Sequence, residues 1–125
     1  MLGQIKKSSI QTLFSESQYI SSVSGSGNNW AVGYHTYGPQ YLDKILESVR
    51  MEVEKCDSIQ SFVCIHSLGG GTGSGLGSTI LDALDEEYPI VLKFSNVVFP
   101  SDGDDVVISP YNRYLHLFLM IVSNS

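Results

Sequence analysis

The run from His66 to Gly77 (HSLGGGTGSGLG) constrains this chain more than any other feature of its sequence. Six glycines fall between residues 69 and 77, and each costs roughly 1 kcal/mol relative to alanine because of the chain entropy lost on folding. An ordinary turn does not need so many. Between a strand and a helix, such a run directs several backbone N–H groups and a helix N-terminus to one place, which attracts anions. The hydroxyls of Ser67, Thr72 and Ser74 add further hydrogen-bond donors.

The elements on either side of this run alternate between helix and strand. Apolar residues at helical spacing predict a helix from Pro39 to Cys56, and a nearly continuous apolar stretch from Ile59 to His66 predicts a strand buried on both faces. A second helix follows the glycines and stops before Pro89, and a second buried strand is expected from Ile90 to Phe99. This alternation predicts an α/β fold with a mainly parallel sheet flanked by helices, and with ligands at the carboxyl ends of its strands.

Two shorter segments are also interpreted as strands. Tyr19 to Val23 leads into a polar loop, Ser24 to Asn29 (SGSGNN), and Val106 to Ile108 follows the turn from Pro100 to Asp105 (PSDGDD). Three strand ends would then carry loops able to contact phosphates or hydroxyl groups.

Two common nucleotide-binding signatures do not fit the glycine run. A Walker-type P-loop needs G-x-x-x-x-G-K-[ST], and no lysine occurs between Lys55 and Lys93. A dinucleotide-binding fingerprint needs G-x-G-x-x-G, a spacing that the glycines at 69, 70, 71, 73, 75 and 77 never give. The first signature is excluded and the second is disfavoured.

Several segments together resemble one family. His66 to Gly75 (HSLGGGTGSG) is similar to the signature of the tubulins, a variant of the glycine loop shared with bacterial FtsZ. Similar segments flank it: GSGNNWAVGY at 25–34, VEKCDSIQSF at 53–62, EEYP at 86–89 and SPYN at 109–112. The resemblance covers about Ser9 to Tyr114 and is greatest to the epsilon type, with the delta type as the nearest rival. It implies a partial, Rossmann-like nucleotide-binding domain of the tubulin/FtsZ type.

The resemblance also implies a cofactor, GTP, and residues that contact it. The glycine run would hold the phosphates, the loop at 25–28 would lie beside the terminal phosphate, and Asp105 would face the ribose. The implied contacts are Gly25, Ser26, Gly27, Asn28, Ser67, Gly70, Gly71, Thr72, Gly73, Ser74, Gly75 and Asp105. Ser109 departs from the pattern, since alpha and beta chains usually carry an acidic residue there, and its hydroxyl is a poorer acceptor for the ribose. No residue is assigned a catalytic role, because tubulins place the hydrolytic groups on the next subunit.

Other parts of the family's site fall outside this sequence. They are the first strand with its GQCGNQ loop, an acidic loop that helps to hold magnesium, the guanine-contacting helix and the loop that triggers hydrolysis. We therefore interpret residues 1–114 as part of a tubulin/FtsZ GTPase domain. Residues 115–125 (LHLFLMIVSNS) abandon the family pattern and are interpreted as a divergent apolar tail left by truncation. A buried closing strand at Leu117 to Ser123 is the structural alternative.

Composition and charge limit the kinds of partner that the chain is expected to bind. Seven basic and 13 acidic residues give a net charge of −6, which disfavours nucleic-acid binding. No apolar stretch approaches the roughly 20 residues that span a bilayer, and two cysteines without a leader fit a reducing cytoplasm. The resemblance implies GTP and other tubulin subunits as partners in the cytoplasmic cytoskeleton, at centrioles and basal bodies for the epsilon type.

Three hypotheses for function stay open at this point. The first is a GTP-binding subunit of a cytoskeletal polymer, whose nucleotide state governs contact between subunits. The second is a small α/β enzyme that uses the glycine run for a dinucleotide or a phosphorylated substrate. The third is a truncated product without activity.

Other residues are expected to serve the fold. The three histidines lack a carboxylate or cysteine at ligand spacing, so no metal site is expected, and His66 is expected to orient the glycine loop. Both cysteines, Cys56 and Cys64, are interpreted as small core residues. The aromatic residues after the SGSGNN loop are expected to pack beneath it: Trp30, Tyr34, Tyr37 and Tyr41.

Overall fold

The computed structural model describes residues 8–101 and 107–123. Two short 3-10 helices, Ser9–Leu13 and Glu16–Gln18, come first. The main elements then follow in this order: helix α1 (Gly38–Val53) entered through a π-helical segment (Val32–Tyr37), strand β1 (Ser61–Ser67), helix α2 (Gly77–Glu87) entered through a second π-helical segment (Thr72–Leu76), strand β2 (Leu92–Val98) and helix α3 (Ser109–Ser123). The predicted α/β alternation of long helices and strands is confirmed.

Strands β1 and β2 form a parallel pair in which Ser61 lies opposite Leu92 and Ser67 opposite Val98. Parallel strands require a crossover connection, and α2 supplies it here. The pairing continues one step past β1, because the Leu68 N–H donates to the Val98 carbonyl at 3.0 Å. The glycine run therefore starts at the carboxyl edge of the sheet, where parallel α/β sheets hold ligands.

Within the described ranges, the sheet is covered on one face. Residues on that face are half-buried, and Phe62 meets Tyr88 at the end of α2 with ring centroids 5.2 Å apart. On the opposite face, Val63 is 59% exposed and Ile65 is 75% exposed. The prediction of strands buried on both faces is therefore wrong for this part of the chain, because no second helical layer lies over Val63 and Ile65.

The two cysteines differ in their surroundings. Cys64 is half-buried on the covered face of β1, where burial raises the pKa of its thiol. Cys56 is exposed beyond the end of α1, so its interpretation as a core residue is wrong.

Both of the shorter strand predictions fail where the structure describes them. Tyr19 is extended, with φ −94° and ψ 112°, but the segment from Tyr19 to Val23 pairs with neither β1 nor β2. Val106 lies outside the described residues, and Val107 and Ile108 form a turn into α3. The Ile108 carbonyl accepts the first helical hydrogen bonds, which commits this short apolar piece to the helix start.

Helix α3 replaces the alternative of a closing strand near the C-terminus, and it runs continuously across residue 114. Its buried positions are polar: Ser109 is 3% exposed, Asn112 3% and His116 0%. Several of its large apolar side chains are exposed, as at Tyr111 and Phe118, while Leu117, Leu119 and Met120 are half-buried. The spacing of three and four residues is helical, with a polar inner face. No helix in the described part of the chain is long and apolar enough to cross a membrane.

Candidate phosphate-binding site

The SGSGNN loop ends in a tight turn. The Asn29 N–H donates to the Ser26 carbonyl at 3.1 Å, and the two central residues both have positive φ, 59° at Gly27 and 56° at Asn28. Positive φ at both central positions defines a type I′ turn, which glycine and asparagine adopt at low cost. We call residues 26–29 the GN turn.

Aromatic side chains support this turn, as the sequence predicted. The Tyr37 hydroxyl lies 3.2 Å from the carbonyls of both Ser24 and Gly25, and 2.9 Å from the Ser24 hydroxyl. Trp30 is buried and stacks on Tyr34 with ring centroids 4.6 Å apart. The base of the loop is therefore fixed by packing.

The glycine run is mostly helical, whereas the sequence predicted a loop up to Gly77. The Ser74 N–H donates to the Gly70 carbonyl at 3.3 Å, and Thr72–Leu76 leads directly into α2. No side chain caps this N-terminus. The N–H groups of residues 70–73 precede the first turn bond, and such groups have no partner within a helix. We call residues 69–76 the glycine segment.

Glycine is required in this segment because two backbones touch. A Cβ at Gly71 would overlap the backbone of Asn29, and a Cβ at Gly75 would overlap the carbonyl of Trp30. The glycine segment thus packs directly against the GN turn and the start of the following helix. Close approach of main chains explains these glycines.

Polar groups from the two segments meet at this contact. The hydroxyls of Ser26 and Thr72 are 3.0 Å apart. The side-chain oxygen of Asn28 is the atom nearest to the open side of Gly70, 3.8 Å from where a Cβ would stand. The structure therefore brings the predicted residues of the SGSGNN loop together with those of the glycine run.

The other predicted site residues fall in different places. Ser67 ends β1, and its hydroxyl accepts the Gly69 N–H at 3.3 Å. A Cβ at Gly73 would overlap the Ser67 backbone. Ser74 is fully buried and its hydroxyl donates to the Gly70 carbonyl, so that side chain serves the fold. Asp105 lies outside the described residues.

Two polar residues of α3 reach this contact, and the sequence did not indicate their roles. The Asn112 amide group donates to the carbonyls of Asn28 and Gly69, at 2.6 and 2.9 Å, and accepts the Trp30 N–H at 2.9 Å. The Ser109 hydroxyl donates to the Gly69 carbonyl at 3.2 Å. The SPYN segment carries part of the family resemblance. The hydrogen-bond partners of Ser109 and Asn112 are 40 or more positions away, however, so the local sequence contains no pattern that predicts them.

Two histidines pack beneath the glycine segment. Their rings are 4.8 Å apart, His66 Nε2 lies 2.9 Å from the Ser95 hydroxyl, and His116 Nδ1 lies 2.7 Å from the Ser78 hydroxyl. Burial lowers the pKa of both imidazoles, so the neutral forms are favoured. Neither has metal ligands around it, since no group of three candidate ligands occurs in residues 8–101 and 107–123.

No lysine or arginine occurs in the GN turn or the glycine segment, so the positive potential that these two segments supply comes from the backbone. The N-terminus of a helix carries roughly half a positive charge. The N–H groups of residues 70–73 lie at this N-terminus, near the paired hydroxyls of Ser26 and Thr72, and N–H groups at a helix N-terminus are suited to phosphate oxygens.

Comparison with known proteins identifies relatives of the chain. A family profile described as Tubulin/FtsZ family, GTPase domain, matches residues 2–122. The chain is 47% identical over 115 residues to the tubulin epsilon chains of Mus musculus and Homo sapiens, covering 92% of this chain and 24% of each relative. It is 41% identical over 121 residues to the tubulin beta-1 chain of Homo sapiens, covering 96% and 27%. The chain thus spans about a quarter of the length of these relatives.

Proposed function

Because the chain belongs to the tubulin/FtsZ family, we propose that its GN turn and glycine segment hold the phosphates of GTP in a tubulin-like cytoskeletal subunit. The single observation that carries this proposal is the contact between the turn and an uncapped helix N-terminus. A nucleotide triphosphate carries its negative charge at the end that such a site attracts.

The donors divide between main chain and side chain. The N–H groups of Gly70 and Gly71 would bind phosphate oxygens, and the hydroxyls of Ser26 and Thr72 would add bonds beside them. The Asn28 side chain lies over Gly70 and would close the site from the turn. Neither segment carries an ammonium or guanidinium group, which distinguishes this arrangement from a Walker-type loop.

Magnesium neutralises triphosphate charge when it accompanies GTP. Within residues 8–101 and 107–123, no group of three acidic, histidine or cysteine side chains is arranged to hold it. The contacts proposed for this chain are to the phosphate oxygens.

The finer proposal concerns place and partners. The identity to epsilon chains, 47%, exceeds that to beta-1, 41%, which supports an epsilon-type subunit. We propose that such a subunit contacts other tubulin subunits at centrioles and basal bodies, with the γ-phosphate of GTP controlling the contact.

Titration of the chain with a fluorescent GTP tests the proposal. We expect saturable binding that unlabelled GTP and inorganic tripolyphosphate reverse, because the contacts are to phosphates. NAD should compete weakly, since its pyrophosphate lacks a terminal phosphate. Displacement by NAD with GTP inert would support a dinucleotide-using enzyme and contradict the proposal, as would the absence of GTP binding.

A further inference from the structure

Asn112 lies where backbone groups from two distant segments converge. Its amide N–H₂ donates to the Asn28 carbonyl at 2.6 Å and to the Gly69 carbonyl at 2.9 Å. Its Oδ1 accepts the Trp30 N–H at 2.9 Å, and the residue is only 3% exposed. Both donors of the amide are therefore used, together with one of its two acceptor positions.

The three bonded groups belong to the parts that form the phosphate site. The Asn28 carbonyl is in the GN turn, and the Trp30 N–H begins the helix after it. The Gly69 carbonyl is at the start of the glycine segment, just before the uncapped helix N-terminus. It also accepts a hydrogen bond from the Ser109 hydroxyl at 3.2 Å. One side chain of α3 thus fixes the distance between turn and helix end.

We propose that Asn112, assisted by Ser109, is a positioning residue that holds the GN turn against the glycine segment so that both contact the same triphosphate. This inference rests on the proposed function. Without the Asn112 amide, the carbonyls of Asn28 and Gly69 would each lose a donor. The turn would then move so that its carbonyl could bond to water. Small displacements of binding groups reduce affinity strongly, because each phosphate contact depends on its distance.

A purely structural role for Asn112 predicts something different. Helix α3 would then be anchored to the domain, and any buried hydrogen bond to α3 would matter equally. Ser78 gives the control: its hydroxyl lies 2.7 Å from His116 Nδ1 and donates to the Ser74 carbonyl at 2.7 Å, and it bonds to neither the GN turn nor Gly69. Its side chain is as deeply buried, at 2% exposed.

The experiment compares Asn112→Ala with Ser78→Ala in the full chain. Thermal unfolding gives stability, and titration with fluorescent GTP and fluorescent GMP gives the preference for the triphosphate. We expect Asn112→Ala to lower GTP affinity at least about tenfold and to reduce the GTP-to-GMP preference. Ser78→Ala should lose stability but keep its GTP affinity within about twofold and its preference unchanged.

Two further readouts keep the test decisive. Amide hydrogen exchange at Trp30 should accelerate in Asn112→Ala, since its acceptor is removed. If Asn112→Ala fails to fold, Ser109→Ala takes its place, because it removes the second donor to the Gly69 carbonyl and leaves Asn112 unchanged. For that variant a loss of GTP affinity of roughly twofold to fivefold is expected.

Three results would overturn the inference. A folded Asn112→Ala with unchanged triphosphate preference excludes positioning. An equal loss of the GTP-to-GMP preference in Ser78→Ala would show that the effect of Asn112→Ala comes from a general loss of stability. Absence of GTP binding by the unsubstituted chain contradicts the proposed function itself, and this case is recognised before any variant is made.

Discussion

The hydroxyl oxygens of Ser26 and Thr72 lie 3.0 Å apart, although 46 positions separate the two residues in the sequence. This contact joins the GN turn to the first residue of the π-helical segment that leads into α2. The SGSGNN loop and the glycine run therefore contact each other and contribute to the same surface.

The two hydroxyls should be energetically coupled. Ser26→Ala and Thr72→Val each remove one partner, so the double variant should lose less stability than the sum of the single losses. We expect a coupling energy of about 0.5–1.5 kcal/mol from urea denaturation. Ser24→Ala combined with Thr72→Val is the control, since the Ser24 hydroxyl pairs with Tyr37, and should be additive. Additivity in the first pair would contradict the contact.

Adjacent glycines should respond differently to alanine. A Cβ at Gly71 meets the Asn29 backbone, so Gly71→Ala should destabilise the fold by about 1–3 kcal/mol or more. Gly70→Ala is the matched control, because its Cβ would stand 3.8 Å from the nearest atom, the Asn28 Oδ1. Denaturation midpoints compare them. Similar losses at the two positions would show that the main chains are not in close contact at Gly71.

Asn28 allows the shape of the turn to be separated from its contact with ligand. Its φ of 56° is easily adopted by glycine but costs alanine about 1 kcal/mol. Asn28→Gly should therefore stay near the original stability and still bind fluorescent GTP more weakly, because the side chain over Gly70 is gone. Asn28→Ala should lose both stability and affinity. Unchanged affinity in Asn28→Gly would remove the side chain from the site.

Acid should destabilise the fold through the buried histidines. Burial lowers the pKa of His66 and of His116 from 6.5, so below that pH the unfolded chain binds more protons than the folded one. The contribution of the two neutral histidines to the free energy of unfolding is complete above about pH 6.5. It is lost as the pH falls through the lowered pKa values of the folded state.

Denaturation midpoints between about pH 7.5 and 5 measure this effect. His116→Gln should flatten the profile, because it removes a fully buried titrating group. A profile of equal slope in His116→Gln would mean that another group controls the acid transition.

Periodicity in the sequence predicted the elements that are long and regular. Helix α1 and strands β1 and β2 lie within a few residues of their predicted bounds, because apolar spacing and proline positions are local properties. The glycine run was assigned to a loop because glycine weakens helices. The close main-chain contact of Gly71 with Asn29 outweighs that propensity, and no local rule contains it.

Helix α3 is a second case in which a local sequence pattern fails to predict the structure. Its fully buried side chains are polar and several of its exposed side chains are apolar, so a pattern that equates apolar with buried cannot orient it. Asn112 is buried because of three backbone partners between residues 28 and 69. Such a role becomes visible only when the segments are brought together in three dimensions.

In the proposed function, backbone amides of the glycine segment bind the phosphates of GTP beside side chains of the GN turn. Amide chemical shifts of the ¹⁵N-labelled chain, recorded as GTP is added, test it most directly. We expect saturable shifts concentrated at Asn28 and at residues 70–73, reproduced by tripolyphosphate, with little change at the far end of α1. Shifts confined to other parts of the chain, or none at saturating GTP, would contradict it.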